Sequence, residues 1–149
     1  TRIACALSHW LLWNKCIKED TPLLILEHDS FFLHKLDFKS ILKSNYDIVG
    51  INSPAAATRK AHKYHDLIQE NSAWIQPVPT IDEFNIPQGL AGNSAYIIKQ
   101  AGAKNLIEAV KEYGLWPNDA IMCKQLIPRL GVTKTYFTRV QGLPSTTVN

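Results

Sequence analysis

The chain is organised around the stretch Leu23-Leu24-Ile25-Leu26-Glu27-His28-Asp29, in which four large aliphatic residues precede two carboxylates on either side of an imidazole. An apolar run this short, directly after Pro22, predicts a strand buried on both faces, as in a parallel sheet covered by helices. In such sheets ligands bind at the carboxyl ends of the strands. The stretch therefore predicts a strand that delivers acidic side chains to a binding site.

While the backbone stays extended, Glu27 and Asp29 share one face of the strand and His28 lies on the other. Carboxylates at this spacing can bind a divalent cation through their oxygens. The alternative is that these residues only solubilise a loop, with Asp29 and Ser30 capping the next element. The stretch alone does not decide between the two.

Helical and strand patterns alternate along the rest of the chain. Apolar residues three or four apart (Ile3, Leu7, Trp10, Leu11 and Ile17) predict an amphipathic helix over residues 3–19. Further helices are predicted over residues 37–44, 101–113 and 118–130, the last with Asn118 as N-cap, and strands over 46–51, 95–99 and 132–138. This alternation favours an α/β sheet. Residues 53–88 carry three prolines and a helical pattern only over 62–71, so we expect an irregular insertion or active-site flap there.

Composition limits the classes of protein. With 149 residues, of which 46% are hydrophobic and 19% charged, the chain is expected to form a single domain over 1–149. A net charge of +3 is too small to imply nucleic-acid binding. No apolar run reaches membrane-spanning length. Cys5, Cys16 and Cys123 have no Cys-x-x-Cys spacing, so they predict packing thiols and not a disulfide framework or a zinc knuckle.

Three sequence blocks occur in the order found in one known family. They are Cys5-Ala6-Leu7-Ser8-His9-Trp10, the strand ending Glu27-His28-Asp29, and Gly92-Asn93-Ser94-Ala95-Tyr96. Together they resemble the family 25 glycosyltransferases, the lipooligosaccharide and collagen galactosyltransferase-like group. That family's pattern is Gly-Cys-x-Leu-Ser-His, an aliphatic strand ending Glu-Asp-Asp, then Gly-x-x-Ala-Tyr. Weaker similarities follow in the segment 101–106, in Pro117-Asn118-Asp119, and in Gln141 with Ser145-Thr146.

The resemblance implies a GT-A-type, Rossmann-like mixed sheet with flanking helices. The family has a strand and a helix before its Cys-x-Leu-Ser-His block, whereas this chain opens almost at that block, so we expect a domain truncated at its N-terminus. An unpaired sheet edge is adhesive, and a homodimer or a capped edge is therefore expected.

The resemblance also implies transfer of a hexose, with galactose expected, from a UDP-sugar donor to a saccharide or hydroxylated acceptor, with inversion. A divalent metal neutralises the charge of a diphosphate leaving group. Asp29 is the expected principal ligand, with Glu27 nearer the ribose or a metal-bound water. His28 replaces the family's middle acid, which would favour manganese over magnesium, unless His28 points away from the site. The metal ligand that this fold class often draws from a late histidine is missing, since none follows His65.

Other site residues are carried over from the motifs. Ser8 and His9 are expected to face the donor pocket, although a buried, hydrogen-bonded His9 is the alternative. Asn93 and Ser94 are expected to bond donor sugar hydroxyls, or else only to form a turn. Asp119 is the candidate base for the acceptor hydroxyl, or an acid that complements a helix dipole.

The basic residues Arg59, Lys60, His62, Lys63 and His65 are most simply a solvated surface, with an arm that contacts diphosphate or an acidic saccharide as the alternative. A noncatalytic carbohydrate- or nucleotide-binding remnant is the main competing function. A metal-dependent phosphohydrolase or nuclease ranks below it. We expect a cytoplasmic location, with association at the cytoplasmic membrane face as a variant of it, in lipopolysaccharide biosynthesis.

Overall fold

Helices and strands alternate in the computed structural model, which describes residues 2–55, 60–81 and 89–142. The helices there are α1 (Arg2–Glu19), α2 (Phe38–Lys43), α3 (Ala61–Glu70), α4 (Gln100–Tyr113) and α5 (Asn118–Ile121). The strands are β1 (Leu23–Leu26), β2 (Ser30–Phe32), β3 (Ile48–Gly50), β4 (Ile75–Pro77), β5 (Ala95–Ile98), β6 (Leu130–Thr133) and β7 (Thr138–Val140). None of the helices in the described ranges has both the length and the apolar character needed to cross a bilayer.

Five strands form one mixed sheet in the order β1-β5-β3-β6-β4, and β2 pairs with β7 in a second, two-stranded sheet. Only the β3–β6 pair of the main sheet is parallel. The prediction of an α/β mixed sheet with flanking helices is confirmed. The prediction that 23–26 is buried on both faces in a parallel sheet is wrong: β1 lies at the sheet edge, antiparallel to β5, and only Ile25 is buried.

A hydrophobic core covers each face of the main sheet, and alternate side chains of β5 point into the two cores. Tyr96 and Ile98 point into one core with Trp13 of α1 and Leu106 of α4. Ala95 and Ile97 point into the opposite core, which includes Ile41 of α2. Successive side chains of a strand point to opposite faces, so a strand between two cores needs apolar residues throughout. The interior strands β3, β5 and β6 are buried at every residue, and they meet that condition except at the polar Thr133 of β6.

Helix α1 presents a different face to the core from the one that its sequence suggested. Its buried side chains are Ala6, His9, Trp13 and Cys16, while the predicted core residues Ile3, Leu7 and Leu11 are 77%, 45% and 56% exposed. The helix carries two apolar stripes, and the stripe with Trp13 packs against the sheet. His9 is thereby directed into the protein, towards the end of β1.

The C-terminal elements are shorter than predicted. Helix α5 ends at Ile121, not at residue 130, because the chain turns at Cys123, whose carbonyl accepts bonds from Leu126 N and Ile127 N, and reaches Pro128. The strand predicted over 132–138 is instead β6 and β7, in different sheets.

The segment predicted to be irregular holds regular structure. Helix α3 occupies most of the helix predicted over 62–71, and β4 forms the far edge of the main sheet. Residues 56–59 and 82–88 of that segment lie outside the described residues.

Candidate functional site

The acidic stretch after β1 forms a turn and does not continue as a strand. Ser30 N donates to the carbonyl of Glu27 at 3.1 Å, which closes the turn. Glu27 N donates at 2.7 Å to the carbonyl of Ser94, the residue before β5. The Ser30 hydroxyl donates to the same Ser94 carbonyl at 2.9 Å. The expectation that Glu27 and Asp29 share a strand face is therefore wrong, because the extended backbone ends at Leu26. His28 is exposed at the turn.

The half-buried Glu27 carboxylate has partners on both oxygens. The Ser94 hydroxyl donates to Oε2 at 2.9 Å. The Cys5 thiol lies 3.7 Å from Oε1, and His9 Nε2 lies 3.5 Å from the same atom. The contact with His9 is the main reason that the pKa of Glu27 is lowered, with help from Ser94 and against the effect of partial burial. Glu27 is thus a carboxylate held in place by α1 and the start of β5.

His9 is buried, and hydrogen bonds on the side away from Glu27 fix its ring. Its Nδ1 and the Tyr96 hydroxyl are hydrogen-bonded at 2.7 Å, and Trp13 Nε1 donates to the same hydroxyl at 2.9 Å. The rings of His9 and Tyr96 are stacked, with centroids 5.7 Å apart. Burial raises the pKa of Tyr96, so its hydroxyl remains protonated. The structure does not bring Ser8 into this group, because its side chain is exposed and donates to Ala4 O of its own helix at 2.9 Å.

Cys5 and Asn118 complete the polar cluster. Asn118 Oδ1 lies 3.8 Å from the Cys5 thiol, and Asn118 Nδ2 lies 3.3 Å from His9 Nε2. Asn118 is buried at the first residue of α5, where Pro117 and not Asn118 occupies the N-cap. Sequence reasoning did not place Cys5 and Asn118 in the site. The available signal was the spacing of Cys5 and His9, four residues apart, which puts them on one side of a helix.

Two buried side-chain atoms in the described ranges lack a hydrogen-bond partner: Asp29 Oδ1 and Asn93 Nδ2. Asn93 follows Gly92, whose φ of 70° belongs to the left-handed region, in the turn before β5. Along the chain, Asp29 is two residues after Glu27, and Asn93 is the residue before Ser94. Glu27 and Ser94 are themselves joined by a side-chain hydrogen bond. Buried polar groups are nearly always paired, so this acceptor and this donor need a partner, which a bound water, an ion or a ligand can supply.

Asp119 lies at the start of α5 with its side chain exposed. The pKa of the Cys5 thiol is raised, mainly by burial and further by the charges of Glu27 and Asp119. Asp119 is therefore close enough to act on the cluster electrostatically. The Asp119 backbone lies against Gly89, where a Cβ atom would be 2.6 Å from the Asp119 carbonyl oxygen.

The predicted basic group does not join this site in the part of the chain that is described. Lys63 donates to Ile81 O at 2.9 Å, and His65 Nδ1 is hydrogen-bonded to the Tyr136 hydroxyl at 2.8 Å. Both residues lie on α3, whereas Arg59 is outside the described residues.

A mixed sheet with flanking helices and an acidic turn after an outer strand is consistent with the Rossmann-like glycosyltransferase class. The model of glycosyltransferase family 25 (LPS biosynthesis protein) matches residues 1–122. The chain belongs to this family.

A search of curated proteins found lipooligosaccharide biosynthesis protein lex-1 of Haemophilus influenzae, which is 28% identical over 134 residues. The match covers 79% of this chain and 38% of that protein. The chain thus spans well under half the length of this relative.

Proposed function

We propose that this chain transfers a hexose from a UDP-sugar to a saccharide or hydroxylated acceptor, with inversion at the anomeric carbon. Galactose is the proposed hexose. The acceptor is a growing lipooligosaccharide, by analogy with the relative's printed role. The observation that carries the proposal is the pair of unpartnered buried atoms, Asp29 Oδ1 and Asn93 Nδ2. An unpaired buried polar group costs about 1–3 kcal/mol, which a bound ligand would recover.

Chemistry assigns the two atoms to different parts of the donor. A carboxylate oxygen without a protein partner suits a hard divalent cation, and an amide N–H suits a sugar hydroxyl or a phosphate oxygen. Ser94 has its hydroxyl committed to Glu27, so in this proposal it orients the carboxylate and contacts donor only through it.

The donor set of the turn fits the divalent metal that the family implies. Asp29 offers a free oxygen, whereas Glu27 Oε2 accepts from Ser94 and Oε1 faces Cys5 and His9, so at this metal Glu27 would act through a bound water or on the ribose. When bound, Mn²⁺ in preference to Mg²⁺ would neutralise the charge that develops on the diphosphate leaving group. The buried His9, fixed by Tyr96, keeps Glu27 ionised beside it.

Asp119 is the proposed base. Its carboxylate is exposed, so an acceptor hydroxyl can reach it from solvent, and its charge acts on Cys5 of the cluster. A base in direct contact with the attacking hydroxyl takes up its proton as the new bond forms.

Calorimetric titration of UDP-galactose, with and without Mn²⁺, tests the proposal. We expect metal-dependent binding in the wild type, and its loss in Asp29→Asn. Asp66→Asn is the matched control, since it makes the same change at an exposed residue of α3 and should bind like the wild type. Absence of metal-dependent binding in a folded wild type would refute the proposal.

A noncatalytic sugar- or nucleotide-binding module is the second candidate. It is favoured by the fact that both Glu27 oxygens and both His9 nitrogens already contact protein groups, so part of the cluster is committed to the fold. Metal-dependent hydrolysis of UDP-galactose separates the two candidates, because the module would bind donor without releasing UDP.

A further inference from the structure

The side chains of Cys5, His9 and Glu27 converge although they come from two different elements. Cys5 and His9 project from the first half of α1, and Glu27 follows β1. Their ligand atoms all lie within 4.8 Å of one another, and no other such group of three His, Cys, Asp or Glu residues occurs in the described ranges. The group is distinct from Asp29, which is not one of its members.

Two of the three spacings match the edges of a zinc coordination tetrahedron, and the third, between Cys5 and His9, lies within 4.8 Å, where a tetrahedral edge would be roughly 3.6 Å. With metal–ligand distances of about 2.3 Å for sulfur and about 2.0–2.2 Å for nitrogen and oxygen, tetrahedral angles put sulfur and oxygen roughly 3.6 Å apart, and nitrogen and oxygen roughly 3.4 Å apart. The corresponding distances here are 3.7 Å from Cys5 Sγ to Glu27 Oε1 and 3.5 Å from His9 Nε2 to Glu27 Oε1.

The surroundings have the features of a second coordination shell. The nitrogen of His9 that faces Glu27 is Nε2, and the other, Nδ1, is fixed by the Tyr96 hydroxyl, which Trp13 Nε1 anchors in turn. An imidazole oriented through its remote nitrogen is typical of metal ligands. Asn118 borders the group, with Oδ1 3.8 Å from Cys5 Sγ and Nδ2 3.3 Å from His9 Nε2.

We propose that Cys5, His9 and Glu27 form a binding site for a zinc-type transition metal, separate from the metal position at Asp29. On binding, the Cys5 thiol transfers its proton to solvent, and the thiolate sulfur, His9 Nε2 and Glu27 Oε1 each donate a lone pair to the cation. One thiolate and one carboxylate balance the charge of a divalent ion. A thiolate ligand selects zinc or cobalt over magnesium and manganese.

The site would connect α1, the turn after β1 and, through Asn118, the start of α5. The metal would therefore fix the turn that carries Asp29. Both Cys5 and Glu27 are partly exposed, which leaves the cation a path from solvent.

Cobalt titration tests the site, because thiolate coordination gives Co²⁺ a near-ultraviolet charge-transfer absorption. We expect this band to saturate at one Co²⁺ per chain, to be bleached by Zn²⁺, and to disappear in Cys5→Ser. Glu27→Gln should weaken cobalt binding at least tenfold. Cys123→Ser is the matched control and should retain the band, since Cys123 is a buried thiol outside the group. A missing band in the wild type, or one that survives Cys5→Ser, would overturn the proposal.

A measurement on the wild type covers the case in which Cys5→Ser fails to fold. Zinc should slow alkylation of Cys5, located by mass spectrometry, at least tenfold, and an unchanged rate would refute the site. The site does not depend on sugar transfer. Asp29→Asn should lose manganese-dependent donor binding and keep the cobalt band, so each proposal can fail without the other.

Discussion

Removal of the Tyr96 hydroxyl should destabilise the protein more than its single atom suggests. This hydroxyl is the hydrogen-bond partner of both His9 Nδ1 and Trp13 Nε1, at 2.7 and 2.9 Å, and Tyr96 is fully buried. In Tyr96→Phe the ring packing is retained, but two buried nitrogens lose their partner. His9 also loses the contact that orients it towards Glu27.

The expected loss follows from these two groups. Each buried polar group left without a partner costs about 1–3 kcal/mol, so two such groups should lower the free energy of unfolding by about 2–6 kcal/mol. For a chain of this size each kcal/mol lowers Tm by roughly 2–4 °C, which predicts a fall of roughly 4–24 °C. Scanning calorimetry and urea unfolding measure both quantities.

Tyr64→Phe is the matched control. Tyr64 is also buried, but the partners of its hydroxyl in the described ranges are backbone groups, the Gly89 carbonyl at a long 3.5 Å and the Ala91 backbone. That variant should lose less than about 1 kcal/mol, since a bond this long contributes little. Equal losses in the two variants would refute the argument, because they would show that the hydrogen bonds to His9 and Trp13 do not stabilise the fold.

Three further predictions concern Glu27, Gly102 and the edge strand. The pKa of Glu27 is lowered in the fold, so its ionised carboxylate stabilises the protein fully above the unfolded pKa of 4.5, and this stabilisation is lost as the pH falls through the folded pKa. The Tm difference between wild type and Glu27→Gln should therefore shrink on acidification. A difference independent of pH would contradict this. Gly102→Ala should destabilise by about 1–3 kcal/mol in urea unfolding, since the new Cβ would lie 2.8 Å from the Asp47 carbonyl oxygen; wild-type stability would show that α4 can shift. Strand β1 pairs with one neighbour in the described sheet, so light scattering should detect a homodimer, and a monomer throughout would count against an adhesive edge.

Local patterns predicted those elements whose packing needs little from distant parts of the chain. The helix found at Arg2–Glu19 was predicted from apolar periodicity, and the helix Gln100–Tyr113 ends where predicted, before Gly114, whose φ of 86° suits glycine. The blocks at Cys5, Glu27 and Gly92 were sufficient to indicate the family that the comparison shows. These signals lie in residue types and short spacings, which a sequence displays directly.

The tertiary structure alone decided which face of each element is used. Two apolar stripes on α1 were equivalent in the sequence, and packing against the sheet buried Trp13 and left Leu11 exposed. The same choice turned His9 towards Glu27 and away from solvent. The edge position of β1 also cannot be read from its own sequence, because burial of a strand depends on which neighbours pair with it.

The candidate site shows the same division. The sequence determined that carboxylates follow an aliphatic strand and that a glycine-containing turn precedes Tyr96. It could not determine that Glu27 bonds Ser94, 67 residues later, or that Cys5 meets Asn118 across 113 residues. Those contacts arise when β1 pairs with β5 and α1 packs beside α5, since only folding brings groups so distant in the chain within hydrogen-bond range.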